Sequence, residues 1–210
     1  MSQNPTIRRF ASRQFEEPDP FAALLSEHEG GSAELCGMNL RTLSPFHRAL
    51  LTIDGTVTQF IESFMLEPVE VTRISQRNRR LPRDHRWLEA SQGTEVIARE
   101  VVISGRYSRV LYTYAVSLVV GGRLDAATRK TLEVSGEGLG RILQRNRMET
   151  FREILWVGRQ RVRLGHQVPG TADNWTDVIS RTYRILSDSR VLMLISENFP
   201  ASLDWRPFHH

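Results

Sequence analysis

The stretch EVIAREVVISGRYSRVLYTYAVSLVV, residues 95–120, decides the fold class. Glu95–Ile103 is crowded with β-branched residues and reads as a strand. Ser104-Gly105-Arg106-Tyr107-Ser108 turns the chain, and Val110–Val120 reads as a second, longer strand. Together they make an antiparallel hairpin. One pair of charges, Arg99-Glu100, interrupts the apolar run. Successive strand residues point to opposite faces, so one of the two points inward. Glu197 interrupts VLMLISENFP (191–200) in the same way. A charge on a core face is costly unless it is paired or serves a ligand. Pattern alone leaves two readings open for Arg99 and Glu197: solvent-facing positions, or interior positions kept for a partner or a ligand.

Outward from the hairpin, Tyr183–Leu186 and Val191–Phe199 read as two strands across the turn Ser187-Asp188-Ser189-Arg190. Val69–Ile74 alternates and reads as a strand. Gln76–Arg86, with Arg77, Arg79, Arg80, Arg83 and Arg86, reads as a loop, and Trp87-Leu88 as the start of another strand segment. Met148–Val157 is ambiguous between a helix on Phe151, Ile154 and Leu155 and a strand over Ile154–Val157. Helix starts are plainer. Ser44 caps a helix with Pro45 at its first position, and Thr56 caps the next, whose apolar face is Val57, Phe60, Ile61, Phe64 and Met65. Asp125 caps a third, through Leu132, and Leu139–Asn146 starts after Gly138. Five or six hairpin-linked strands with helices between them define an α+β fold, an antiparallel sheet with helices packed on it. No internal repeat is visible. Residues 1–42, dotted with Pro and Gly, read as a partly flexible N-terminal extension with a short helix over Phe21–Glu29 capped by Asp19; residues 43–205 form one domain.

The chain has 210 residues, enough for one domain with a real core. Lys+Arg is 28 against Asp+Glu 24, a net charge of +4, and Lys130 is the only lysine, so all other basic residues are arginine. Arginine grips carboxylate and phosphate in bidentate fashion, but a coding bias explains such an excess without functional meaning. The excess is too small for a nucleic-acid coat. The arginines of 73–86 read as a solvated loop, then as an anion-attracting rim, and last as a nucleic-acid patch.

The motif search mostly eliminates. Cys36 is the only cysteine, which excludes an intrachain disulfide and a cysteine-based zinc site. No two of the six histidines stand at metal-ligand spacing. There is no phosphate loop, no nucleophile elbow around Ser135, and Gly136, Gly138 and Gly140 lack a surrounding βαβ unit. No secretory signal or membrane-length apolar run is present, so the expectation is a cytoplasmic protein with no membrane partner.

Four segments resemble the bacterial chorismate pyruvate-lyase family, in the family's order: LLTIDGTVTQFIE (50–62), VIAREVVI (96–103), GLGRILQRNRMETFREILWVG (138–158) and SRTYRILSDSRVLMLISENFP (180–200). The similarity is closest to the actinobacterial 4-hydroxybenzoate synthases. It implies a six-stranded antiparallel sheet with helical flaps over a buried ligand pocket. The implied activity is a carbon–oxygen lyase that converts chorismate to 4-hydroxybenzoate and pyruvate with no cofactor and no metal. By the same resemblance Arg99 takes the family's ring-carboxylate position and Glu197 the position facing the ligand's 4-hydroxyl. Glu197 is there either a hydrogen-bond partner or a general acid/base with a carboxyl raised by burial. Leu139 and Thr56 take the positions whose backbone N–H groups hold the carboxylate. Thr56 stands where the family has Met, and Gly138 where it has Pro. Two other readings stay open: an effector-binding domain for an aromatic acid, and a relative acting on another chorismate-derived acid. Residues 1–42 are too short and too rich in Pro and Gly for the winged-helix domain that precedes such effector domains in regulators.

Overall fold

The computed structural model describes residues 38–136, 138–163 and 175–202. Helices α1 (Pro45–Thr52) and α2 (Val57–Met65) lead into strands β1 (Val69–Arg80), β2 (Glu95–Gly105) and β3 (Leu111–Val119). Helices α3 (Ala126–Val134) and α4 (Leu139–Arg145) then lead into β4 (Phe151–Arg163), β5 (Trp175–Ser187) and β6 (Arg190–Pro200). A helix pair followed by a three-stranded meander thus occurs twice. The meanders join through β3 and β6 into one antiparallel sheet of order β1-β2-β3-β6-β5-β4. The α+β reading holds.

Local chemistry explains the helix starts. Ser44 Oγ accepts from the His47 N–H, and Pro45 opens α1. Asp125 accepts from the Thr128 N–H at the start of α3. Thr56 occupies the N-cap position of α2 without a side-chain capping bond. His47 also ties α1 to the end of β6, with Nε2 3.2 Å from the Pro200 carbonyl. Burial holds its imidazole below the usual range, with Arg159 adding to the effect against that hydrogen bond.

All four helices pack on one face of the sheet. Phe46, Leu50, Val57 and Ile61 of α1 and α2 meet Ile103, Tyr112 and Phe199, and Leu132, Ile142 and Leu143 of α3 and α4 meet Ile97, Ile185 and Met193. The opposite face is covered by residues 81–94, whose Leu81, Trp87 and Leu88 join Val102, Leu118 and Leu194 in one cluster. Arg123 holds this cover through the Leu88 and Glu89 carbonyls, and Arg184 through the Glu89 carboxylate.

Three readings are corrected. Gln76–Arg80 is not loop but the second half of β1, paired from Gln76↔Arg99 to Arg80↔Glu95. β1 is outermost in the sheet, so backbone pairing with β2 sustains it without an apolar face, and a bulge between Arg73 and Ser75 breaks the alternation. Trp87-Leu88 is not strand but turn, closed by the His85↔Ala90 bridge. Its apolar character serves burial on the sheet. Met148–Val157 resolves as strand from Phe151 onward, again with a bulge, between Ile154 and Trp156. The β5–β6 turn is as read: Asp188 and Ser189 have φ of 48° and 60°, the positive values a two-residue primed hairpin requires. The helix expected over Phe21–Glu29, with Cys36, lies outside the described residues.

Candidate active site

The N-termini of α2 and α4 meet above the centre of the sheet. Their approach depends on Gly140: a Cβ there would stand 2.7 Å from Thr56 Cγ2. Beneath this junction is a partly open cavity of about 70 Å3. Arg99, Thr56, Leu139 and Glu197 all line it, together with Tyr183, Arg141 and Arg152. All four residues singled out in the sequence therefore come together. The first-turn N–H groups of both helices have no acceptor within their own helix. Thr56 Oγ1 is buried and without a partner.

Arg99 stands in β2 opposite Gln76 and Ser117 and is 1 % exposed. The alternation in the hairpin is thereby resolved. Arg99 points to the helix face, while Glu100 points to the other, where it accepts from Ser75 Oγ at 2.9 Å and Tyr114 OH at 2.8 Å. The solvent-facing reading of Arg99 is overturned. Burial, with the nearby charge of Arg73, lowers its guanidinium to about 10, which still leaves a cation at neutral pH. A buried cation on a cavity wall is a seat for an anion.

Glu197, in β6, is 6 % exposed, so its solvent-facing reading falls too. Its direct cross-strand partner in β5 is Arg181. Arg181 Nε donates to Glu197 Oε2 at 2.8 Å and Tyr183 OH donates to Oε1 at 3.1 Å. Arg181 Nη1 donates to the Ile53 carbonyl at 2.9 Å, and its guanidinium lies 5.0 Å from the Tyr183 ring centroid. Burial opposes the charge of Arg181, but Glu197 outweighs it and holds the guanidinium above the usual arginine range. Burial and the Glu197 charge push the Tyr183 hydroxyl far up, so it remains a donor. A carboxylate held this way is an oriented acceptor for a ligand hydroxyl. Strand β3 separates the strands of Arg99 and Glu197, and Ser117 of β3 sets Arg99 level with Ile195, two residues before Glu197, so their backbones lie about 12 Å apart. That span leaves room for one ring between a guanidinium fork and a carboxylate.

Arg181, Tyr183 and Arg152 went unnoticed in the sequence. Arg181, Tyr183 and Ile185 share one face by period two, but the apolar pattern starts the strand only at Tyr183. Among the described residues, no three His, Cys, Asp or Glu side chains gather as a metal site, and no helix is long and apolar enough to cross a membrane.

Among solved structures the chain is similar to PhnF from Mycobacterium smegmatis, with a TM-score of 0.54 at 11% identity over 76% of this chain and 70% of that one. It is also similar to the effector domain of PhnF from the same organism, with a TM-score of 0.50 at 12% identity over 74% and 95%. These likenesses concern the fold alone. Among curated proteins, a chorismate pyruvate-lyase of Mycobacterium tuberculosis (strain CDC 1551 / Oshkosh) is 27% identical over 175 residues, 80% of this chain and 86% of that protein. One of Mycobacterium leprae (strain TN) is 25% identical over 166 residues, 78% of each. The family model described as chorismate pyruvate-lyase Rv2949c-like matches residues 51–206. With three quarters of its length under that model, and the matched segments building both walls of the cavity, the chain belongs to the Rv2949c-like chorismate pyruvate-lyase family.

Proposed function

We propose that the protein eliminates pyruvate from chorismate to give 4-hydroxybenzoate, without a cofactor. The observation that carries this reading is the pair of buried, oppositely charged side chains, Arg99 and Glu197, on one cavity wall. Arg99 grips the ring carboxylate in a charge-assisted pair. Backbone N–H groups at Thr56 and Leu139 add donors to it. Glu197, oriented by Arg181 and Tyr183, accepts from the ring hydroxyl. In the reaction the C3–O bond to the enolpyruvyl group breaks and the hydrogen at C4 leaves as a proton. The ring becomes aromatic, and the released enolpyruvate takes a proton at its methylene carbon to become pyruvate. Aromatisation drives the step, so the protein's contribution is positioning and electrostatics. The ion pair with Arg181 supports an acceptor role for Glu197 more than that of a proton donor.

At about 70 Å3 the cavity is smaller than the ~150 Å3 that admits benzene in a packed core, so a bound ring needs more room than the cavity has as it stands. Incubation of the purified chain with chorismate tests the proposal: pyruvate and 4-hydroxybenzoate are expected in equal amounts. Absence of both refutes it, and binding of an aromatic acid without turnover favours an effector-binding role instead.

A further inference from the structure

A second space, of about 230 Å3, adjoins this cavity. The two share Gly55, Thr56, Gly140 and Arg152, so the outer space continues the inner one past the helix junction. Arg152 stands at this threshold. Its side chain is 16% exposed, and Nη1 donates to the Asp54 carbonyl at 2.6 Å. The Asp54 carboxylate is 3.5 Å away and 79% exposed, a weak, solvated counter-charge.

The other arginines of the site are committed. Arg141 donates to both oxygens of Glu62 at 2.8 and 2.9 Å. Arg181 is held by Glu197 and the Ile53 carbonyl. Chorismate carries two carboxylates, one on the ring and one on the enolpyruvyl arm. With the ring carboxylate at Arg99 and the hydroxyl carbon at Glu197, the arm leaves the ring from the carbon next to that hydroxyl, on the Glu197 side. Arg152 is on that side as well: in β4 it stands opposite Ile185 of β5, two residues along the same face from Tyr183, whose hydroxyl donates to Glu197. The outer space of about 230 Å3 begins at that end of the cavity and offers the room that the arm requires.

We propose that the outer space is the subsite for the enolpyruvyl arm and that Arg152 grips the arm's carboxylate. This rests on the lyase reading and adds to it a residue that selects for a dianion. Arg152 then matters for ligands with the second carboxylate and not for those without it.

The test pairs one variant with one ligand comparison. In Arg152→Gln the KM for chorismate rises roughly ten- to a hundredfold, while the Kd of 4-hydroxybenzoate, which lacks the arm, stays within about twofold. Arg152→Lys recovers part of the loss. An unchanged KM, or a Kd for 4-hydroxybenzoate that rises as far as the KM, overturns the proposal. The ligand comparison needs no variant: wild-type protein binds 3-(carboxymethoxy)benzoate roughly tenfold or more tighter than 3-methoxybenzoate. Equal binding of the two in a protein that turns chorismate over refutes the subsite and leaves the lyase reading standing. Preference for the dianion in a protein that releases no pyruvate refutes the lyase reading and leaves the subsite standing.

Discussion

Replacing Arg181 by Met removes a charge that stands behind the cavity wall and leaves Glu197 buried alone. The side chains of the pair are 2% and 9% exposed, so water screens them little. At an effective permittivity of about 20, unit charges about 4 Å apart attract by about 4 kcal/mol. Breaking a buried pair from one side costs about 3–5 kcal/mol, because the remaining charge has lost both water and partner. The Ile53 carbonyl loses its donor as well, worth about 1 kcal/mol. Met keeps most of the arginine stem's bulk, so packing loss is small. We expect Arg181→Met to lower unfolding free energy by about 4 kcal/mol in urea titrations at neutral pH. Adding Glu197→Gln to the same chain should restore about 2 kcal/mol, since a neutral amide needs no counter-charge. A single variant that costs less than about 1 kcal/mol refutes the reasoning, because the pair is then screened. A double variant no more stable than the single one assigns Arg181 to packing instead.

Arg99→Ala should weaken 4-hydroxybenzoate binding by about 1.5–3 kcal/mol in a direct titration; an unchanged affinity removes Arg99 from the ligand. Glu197→Gln should lower kcat for chorismate more than it raises KM, and wild-type turnover in that variant takes Glu197 out of the chemistry. Glu67 clamps the β2–β3 turn: burial raises its carboxyl, but donation from Ser108, Tyr112 and the Ser108 and Tyr107 amides outweighs this and holds it below the ordinary 4.5. A carboxyl lowered by folding contributes stability above its ordinary value and loses it as pH falls through the lowered one. The stability gap between wild type and Glu67→Gln should therefore be constant near neutrality and narrow below about pH 4.5; a gap independent of pH contradicts this. Gly140→Ala should lower stability by about 1–3 kcal/mol through its clash with Thr56 Cγ2, and Thr56→Ser in the same chain, which deletes that methyl, should recover most of it in thermal denaturation. Failure of the rescue means the two helices do not meet as described.

What the sequence made legible follows from where side chains had to be apolar. The β2–β3 hairpin and β6 are buried along most of their length, so β-branched and apolar runs announced them. Ser44 and Asp125 announced helix starts because their side chains cap the backbone directly. Gln76–Arg80 was hidden because an outermost strand can be polar on both faces, and Trp87-Leu88 misled because burial in a turn looks like burial in a strand. Of the site, Arg99 and Glu197 stood out as charges inside apolar runs. Arg181 did not, since its neighbours Ser180 and Thr182 are polar too, buried on the opposite face. The repeat of helix pair and meander was invisible because the two halves share topology and not residues. The convergence of α2 and α4 at Gly140 is a tertiary contact between segments some eighty residues apart, and no local pattern encodes it.

The outermost strands also explain where much of the arginine stands. Arg73, Arg77 and Arg80 are exposed along β1, and Arg159 and Arg161 along β4, the two rims of the sheet. A sheet rim offers backbone groups that another copy's rim can pair with. Here guanidinium groups line both rims, with Arg80 paired to Glu95 and Arg161 to Asp177, so two copies approaching edge to edge meet partly neutralised positive charge before their backbones touch. That protection reaches about 10 Å at 0.1 M salt and shrinks to about 3 Å at 1 M. Whatever edge-to-edge repulsion these arginines supply is therefore a property of dilute salt, and concentrated brine removes it.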